Sequence, residues 1–115
     1  MIKKAIHLLF VLFISGFAFG QVADTSNIPY GDNPAVGKYY DIRGIKIYAE
    51  EYGEGMPLLM IHGNGGSGKA FKKIIPYFSK YYRVIIADSR AQGKSTDYGD
   101  SLSFEMIADD ETALL

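Results

Sequence analysis

Residues 61–71 read IHGNGGSGKAF and residues 88–95 read DSRAQGKS. Glycine-rich turns of this kind serve two chemistries. Their backbone amides either cradle phosphates or face the oxygen that becomes negative when an acyl carbon turns tetrahedral. Residues 63–70 match G-x-x-x-x-G-K-[ST] at every position but the last, where Ala70 offers a methyl group in place of the hydroxyl that ligates Mg²⁺. Residues 88–95 have the G-K-S ending but begin with Asp88, whose carboxylate would repel a phosphate. The turn-forming TDYGD that follows Lys94-Ser95 also withholds the helix N-terminus that a phosphate needs. Both matches fail at a position with a specific chemical duty, so a P-loop-like nucleotide-binding domain is the alternative reading and not the first.

An oxyanion turn makes a different demand. The main chain must turn sharply and approach the substrate without a Cβ in the way, and Gly63, Gly65, Gly66 and Gly68 suit that. A nucleophile is harder to find. G-x-S-x-G does not occur: Ser67 has Lys69 where the second Gly belongs, and Ser95 has Asp97 there. These two serines are expected to support their loops. Of the two histidines, His7 lies in an N-terminal apolar segment, which leaves His62. A lone histidine ending a buried strand reads as a hydrogen-bonded structural residue. Glu50, Glu51, Asp109, Asp110 and Glu111 form no separated carboxylate pair and no metal-ligand spacing, and are expected on solvated faces.

The elements that must position these turns follow from periodicity. From Lys38, apolar and polar residues alternate, with Tyr40 and Ile42 on one face, then Ile45, Ile47 and Ala49 opposite Lys46, Tyr48 and Glu50. Gly44 makes this an antiparallel hairpin, although Arg43 is a poor residue for a turn that wants φ > 0. The runs PLLMIH at 57–62 and VIIAD at 84–88 are short and continuously apolar, as strands buried on both faces of a parallel sheet are. Between them Phe71, Ile74, Ile75, Phe78 and Tyr82 have the spacing of a crossover helix, which Pro76 should kink or restart. A last helix begins after the N-cap Ser103, with Phe104, Ile107, Ala108 and Leu115 as its apolar stripe. The order is that of the first part of an α/β sheet.

His62-Gly63-Asn64-Gly65-Gly66-Ser67, followed by Asp88-Ser89-Arg90-Ala91-Gln92-Gly93-Lys94-Ser95, resembles the α/β-hydrolase superfamily, whose pattern reads H-G-x-G-G-S and then D-x-R-G-x-G-x-S. The resemblance covers residues 39–115. It implies an esterase- or lipase-like acyl hydrolase fold, here an antiparallel hairpin followed by parallel strands with a crossover helix. It implies that Asn64 gives its backbone N–H to the oxyanion, that His62, Gly63, Gly65 and Gly66 shape the turn, and that Asp88, Arg90, Gly93 and Ser95 order the loop bordering the pocket. It implies a small-molecule ester or acyl substrate and no cofactor or metal. Ala91 stands where the family has Gly, so that loop is expected to be slightly re-routed. The family's serine elbow, acid and histidine would follow in chain order beyond Leu115, so the domain is expected to be incomplete and this stretch inactive and poorly folded alone. An aspartate nucleophile in that place would give epoxide or carbon–halogen chemistry instead.

Lys3 and Lys4, the apolar run of residues 5–19 and the small residues before Gln21 form an export-signal pattern. The expected division is a signal peptide at 1–20, a linker at 21–37 and the hydrolase-like part at 38–115, with a periplasmic or extracellular destination. Cleavage would remove two of the 12 basic residues and none of the 13 acidic ones, taking the net charge from −1 to −3. That balance favours neither nucleic acid nor an anionic membrane surface. With no cysteine, disulfides and thiolate chemistry are excluded. A non-catalytic secreted interaction module is the third reading.

Overall fold

The structure, a computed structural model, describes residues 27–115. The expected signal peptide and the first residues of the expected linker lie outside the described residues. Strands β1 (Lys38–Ile42), β2 (Ile45–Tyr52), β3 (Pro57–Met60) and β4 (Arg83–Ala87) form one sheet in the order β1-β2-β4-β3. The pairs β1/β2 and β2/β4 are antiparallel and β3/β4 is parallel, with Leu58 opposite Val84. This is the mixed α/β sheet with an antiparallel start that the sequence predicts.

The hairpin turn is the tight two-residue kind. Arg43 has φ 47° and Gly44 φ 84°, the double left-handed conformation that matches the twist of the flanking strands. Arginine tolerates it here because its guanidinium is anchored on the last helix, with Nη1 donating to Met106 O at 3.3 Å and to Asp110 Oδ1 at 3.1 Å.

Strand β2 departs from the expected alternation, since Ile47, Tyr48, Ala49 and Glu50 are all buried. It lies between β1 and β4, and residues 28–37 cover its second face. Glu50 is therefore a buried residue and not part of a solvated face. It is 1 % exposed, and its carboxylate accepts the Gly31 and Asn33 amides at 2.7 Å each and the Tyr48 and Tyr52 hydroxyls at 2.6 Å each. Four donors replace the water it has lost. Tyr30, from the same lead-in, packs with Met60, Ile75, Val84 and Ile86 in the core on that face.

The crossover is shorter in its helices than the periodicity predicts. A 3-10 turn spans Gly68–Phe71 and a single α-turn, α1, spans Ile75–Phe78, with Pro76 in its first turn where a missing N–H goes unneeded. Pro76 thus restarts the chain, and Phe71, Ile75, Phe78 and Tyr82 still reach the core. Helix α2 (Phe104–Leu114) packs on the opposite face, near the cluster of Ile45, Ile47, Ala49 and Ala87, through Leu114. Ser103 caps it, its hydroxyl accepting the Met106 amide at 3.2 Å. Its buried stripe is rotated from the expected one: Phe104 is 84 % exposed, whereas Asp110 and Glu111 are 1 % and 3 % exposed. The expectation that these two acids face solvent is corrected. Cationic and hydroxyl partners from the hairpin turn and the loop after β4 draw them inward.

Candidate oxyanion turn and its supporting loop

Past Met60 the chain leaves β3 and turns at once. His62 is buried, with Nε2 accepting the Ser89 amide at 3.0 Å and Nδ1 donating to Gly63 O at 2.7 Å. An imidazole nitrogen that accepts an N–H carries no proton, so the ring is neutral with its hydrogen on Nδ1. The same Gly63 carbonyl accepts the Gly66 amide at 3.0 Å and closes a four-residue turn with Asn64 and Gly65 at its centre. Gly65 has φ 75° at the third position, as a type II turn requires. A Cβ on Gly66 would lie 2.9 Å from Gly63 O, so close approach restricts that position to glycine. The Gly65 amide donates to Gln92 Oε1 at 2.6 Å. The Asn64 amide, at an exposed residue, has no hydrogen-bond partner among the described residues.

The loop after β4 is organised by Asp88. One of its carboxylate oxygens accepts the Gly68 amide and the other the Lys94 amide, each at 2.7 Å. Gly93 has φ 54°, and a Cβ on it would sit 2.2 Å from Asp88 Oδ2. Ser95 Oγ donates to Asp88 O at 2.5 Å and accepts the Tyr48 amide at 2.9 Å, tying the loop to β2. Arg90 forms a forked pair with Asp110, Nε to Oδ2 at 2.7 Å and Nη2 to Oδ1 at 2.9 Å, and reaches Asp97 at 3.3 Å. This pair raises the Arg90 pKa further; Asp97 is held below the usual carboxylate range, chiefly by the Gly99 amide. Ala91 keeps the left-handed conformation, φ 61°, inside a turn closed by the Gln92 amide on Ser89 O at 3.0 Å. Ala91 thus holds the left-handed backbone that its Cβ was expected to disfavour.

The phosphate-cradle alternative meets an obstacle in this geometry. The Gly68 and Lys94 amides, one from each P-loop-like stretch, are spent on a single internal carboxylate. The Lys69 ammonium pairs with Asp32 at 3.2 Å, and Lys94 pairs with the other oxygen of Asp32, which lowers the Asp32 pKa. Ser67 makes no side-chain capping bond.

Between the two loops and the start of α2 lies a groove of about 220 Å³, lined by Ile61, Asn64, Ser89, Gln92, Phe104 and Ile107 among others. Its lining is mostly apolar. Ser89 is no nucleophile candidate here, because its hydroxyl donates to Glu111 Oε1 at 3.1 Å. Among the described residues no group of three His, Cys, Asp or Glu side chains is placed to hold a metal ion. Every residue expected at the turn and loop thus comes to one end of the sheet. Gln92 and Glu111 were missed. Gln92 carries no distinguishing spacing, and Glu111 reads as one more charge on a helix.

Comparison with known proteins identifies the family. A family model described as alpha/beta hydrolase fold matches residues 56–115. The chain is 50% identical over 46 residues to (E)-2-((N-methylformamido)methylene)succinate hydrolase of Acinetobacter baylyi, covering 40% of this chain and 18% of that protein. Its fold is similar to that of the meta-cleavage product hydrolase from Pseudomonas fluorescens, with TM-score 0.60 and 28% identity over 71% of this chain and 32% of the other. It is similar also to an epoxide hydrolase, with TM-score 0.65 and 26% identity over 68% of this chain and 28% of the other. The chain therefore spans about a fifth of that curated relative and about a third of these solved structures. Matched over more than half its residues, from β3 through both glycine turns to the end of α2, the chain belongs to the alpha/beta hydrolase fold family.

Proposed function

We propose that this chain supplies the oxyanion side of an exported acyl hydrolase acting on a small-molecule ester or related acyl substrate through a serine nucleophile that lies outside residues 1–115. The observation that carries the reading is the Asn64 amide. It is unpaired among the described residues, and it sits in a type II turn whose Gly63 carbonyl is fixed by both His62 and Gly66. A preorganised donor of this kind lowers the barrier because it need not reorient as charge develops. The apolar walls of Ile61, Phe104 and Ile107 suit an acyl chain beside it. Nothing in this mechanism calls for a metal or cofactor. Export is supported by Lys3, Lys4 and the apolar run that follows them.

The test is the protein made from the complete reading frame. Turnover of a short-chain nitrophenyl ester, abolished by a serine-directed phosphonate, is the expected outcome. An inert protein towards esters that instead opens epoxides would replace the serine by an aspartate nucleophile, a second reading favoured by the likeness to an epoxide hydrolase.

A further inference from the structure

Glu111 is 3 % exposed, with Oε1 receiving the Ser89 hydroxyl at 3.1 Å and Oε2 without a partner among the described residues. A carboxyl group left half-satisfied at a buried helix position costs stability, so its one remaining contact calls for an explanation. That contact leads to the oxyanion turn. Ser89 joins Glu111 through its hydroxyl and His62 through its amide, and His62 holds Gly63 O.

The charged and titratable groups facing Glu111 are His62 from the turn after β3, Asp88 from the end of β4 and Asp110 on α2. Asp110 is already engaged by Arg90 and Arg43. His62 brings no positive charge, because its Nε2 must stay unprotonated to accept the Ser89 amide. Burial raises the Glu111 pKa, with the Ser89 hydrogen bond opposing it and Asp110 and Asp88 adding to it.

We propose that Glu111 is a positioning residue for the oxyanion turn: its carboxyl group holds Ser89 so that the Ser89 amide fixes His62, and His62 fixes the Gly63 carbonyl next to Asn64. The catalytic consequence rests on the acyl-hydrolase reading, but the positioning does not. The test uses the complete protein, ¹⁵N-labelled, with the variants E111Q and E111L. In the wild type the Ser89 and Asn64 amide resonances should titrate together, with one midpoint above the ordinary glutamate range, and E111Q should remove that step. In E111L, exchange of the Ser89 amide should quicken about 10-fold and the His62 ring nitrogens should show mixed tautomers. Its kcat on nitrophenyl acetate should fall about 10-fold with KM within about twofold, and E111Q should recover most of the loss.

An E111L protein with wild-type Ser89 exchange and His62 shifts would overturn the proposal. So would a shared titration that persists in E111Q, and that comparison decides alone if E111L does not fold. Should the resonance changes appear in a protein that hydrolyses no ester, the hydrolase reading fails and the positioning role stands.

Discussion

Arg90 and Asp110, 20 residues apart, meet in a forked ion pair at 2.7 and 2.9 Å, with side chains 7 % and 1 % exposed. This pair fastens α2 to the loop after β4, and Arg43 of the hairpin turn joins it at 3.1 Å.

Removing the carboxylate deprives the buried Arg90 of its forked partner, leaving it only Asp97, and takes from Arg43 its shorter ion pair. Asp110→Ala should therefore destabilise the complete protein by about 3 kcal/mol. Urea unfolding of D110A against wild type checks this. An unchanged midpoint would mean that the pair contributes nothing net.

Asn64 occupies the second position of a type II turn, where proline is favoured. Asn64→Pro deletes the amide hydrogen and keeps the turn. On the oxyanion reading, kcat should fall about 100-fold, while Asn64→Ala, which retains the N–H, should stay close to wild type. Equal activities of N64P and N64A would remove Asn64 from the mechanism.

Ala91 holds φ 61° with a Cβ, a conformation that glycine adopts without strain. Ala91→Gly should raise stability by roughly 0.5–1 kcal/mol, read as an increase in the thermal midpoint. A lower midpoint would show that the alanine methyl packs usefully.

Glu111 has its pKa raised in the folded state above the ordinary 4.5, so its contribution to stability is full below 4.5 and is lost as pH rises through the folded value. In Glu111→Gln the slope of stability against pH in that window should flatten. Urea midpoints measured between about pH 4 and 8 for both proteins would reveal it.

Much of the fold was legible in the residues because it depends on local periodicity. The hairpin, the two short apolar strands, the Ser103 cap and the break at Pro76 each rest on neighbours a few positions apart. The glycine turns were legible for the same reason: Gly65 answers a left-handed requirement, and Gly66 and Gly93 answer a close approach.

What the sequence by itself determined was therefore the list of elements and the two turns at the strand ends. Tertiary structure alone decided the fate of the charged residues. Glu50, Asp110 and Glu111 look like solvated acids, and only the arrival of Gly31, Asn33, Arg90, Arg43 and Ser89 from distant segments turns them inward. Likewise Arg43 and Ala91 take left-handed conformations that local preference opposes. For Arg43 the compensating contacts come from α2, more than 60 residues on. A buried charge is set by which donors the fold brings within about 3 Å, and no local pattern encodes that.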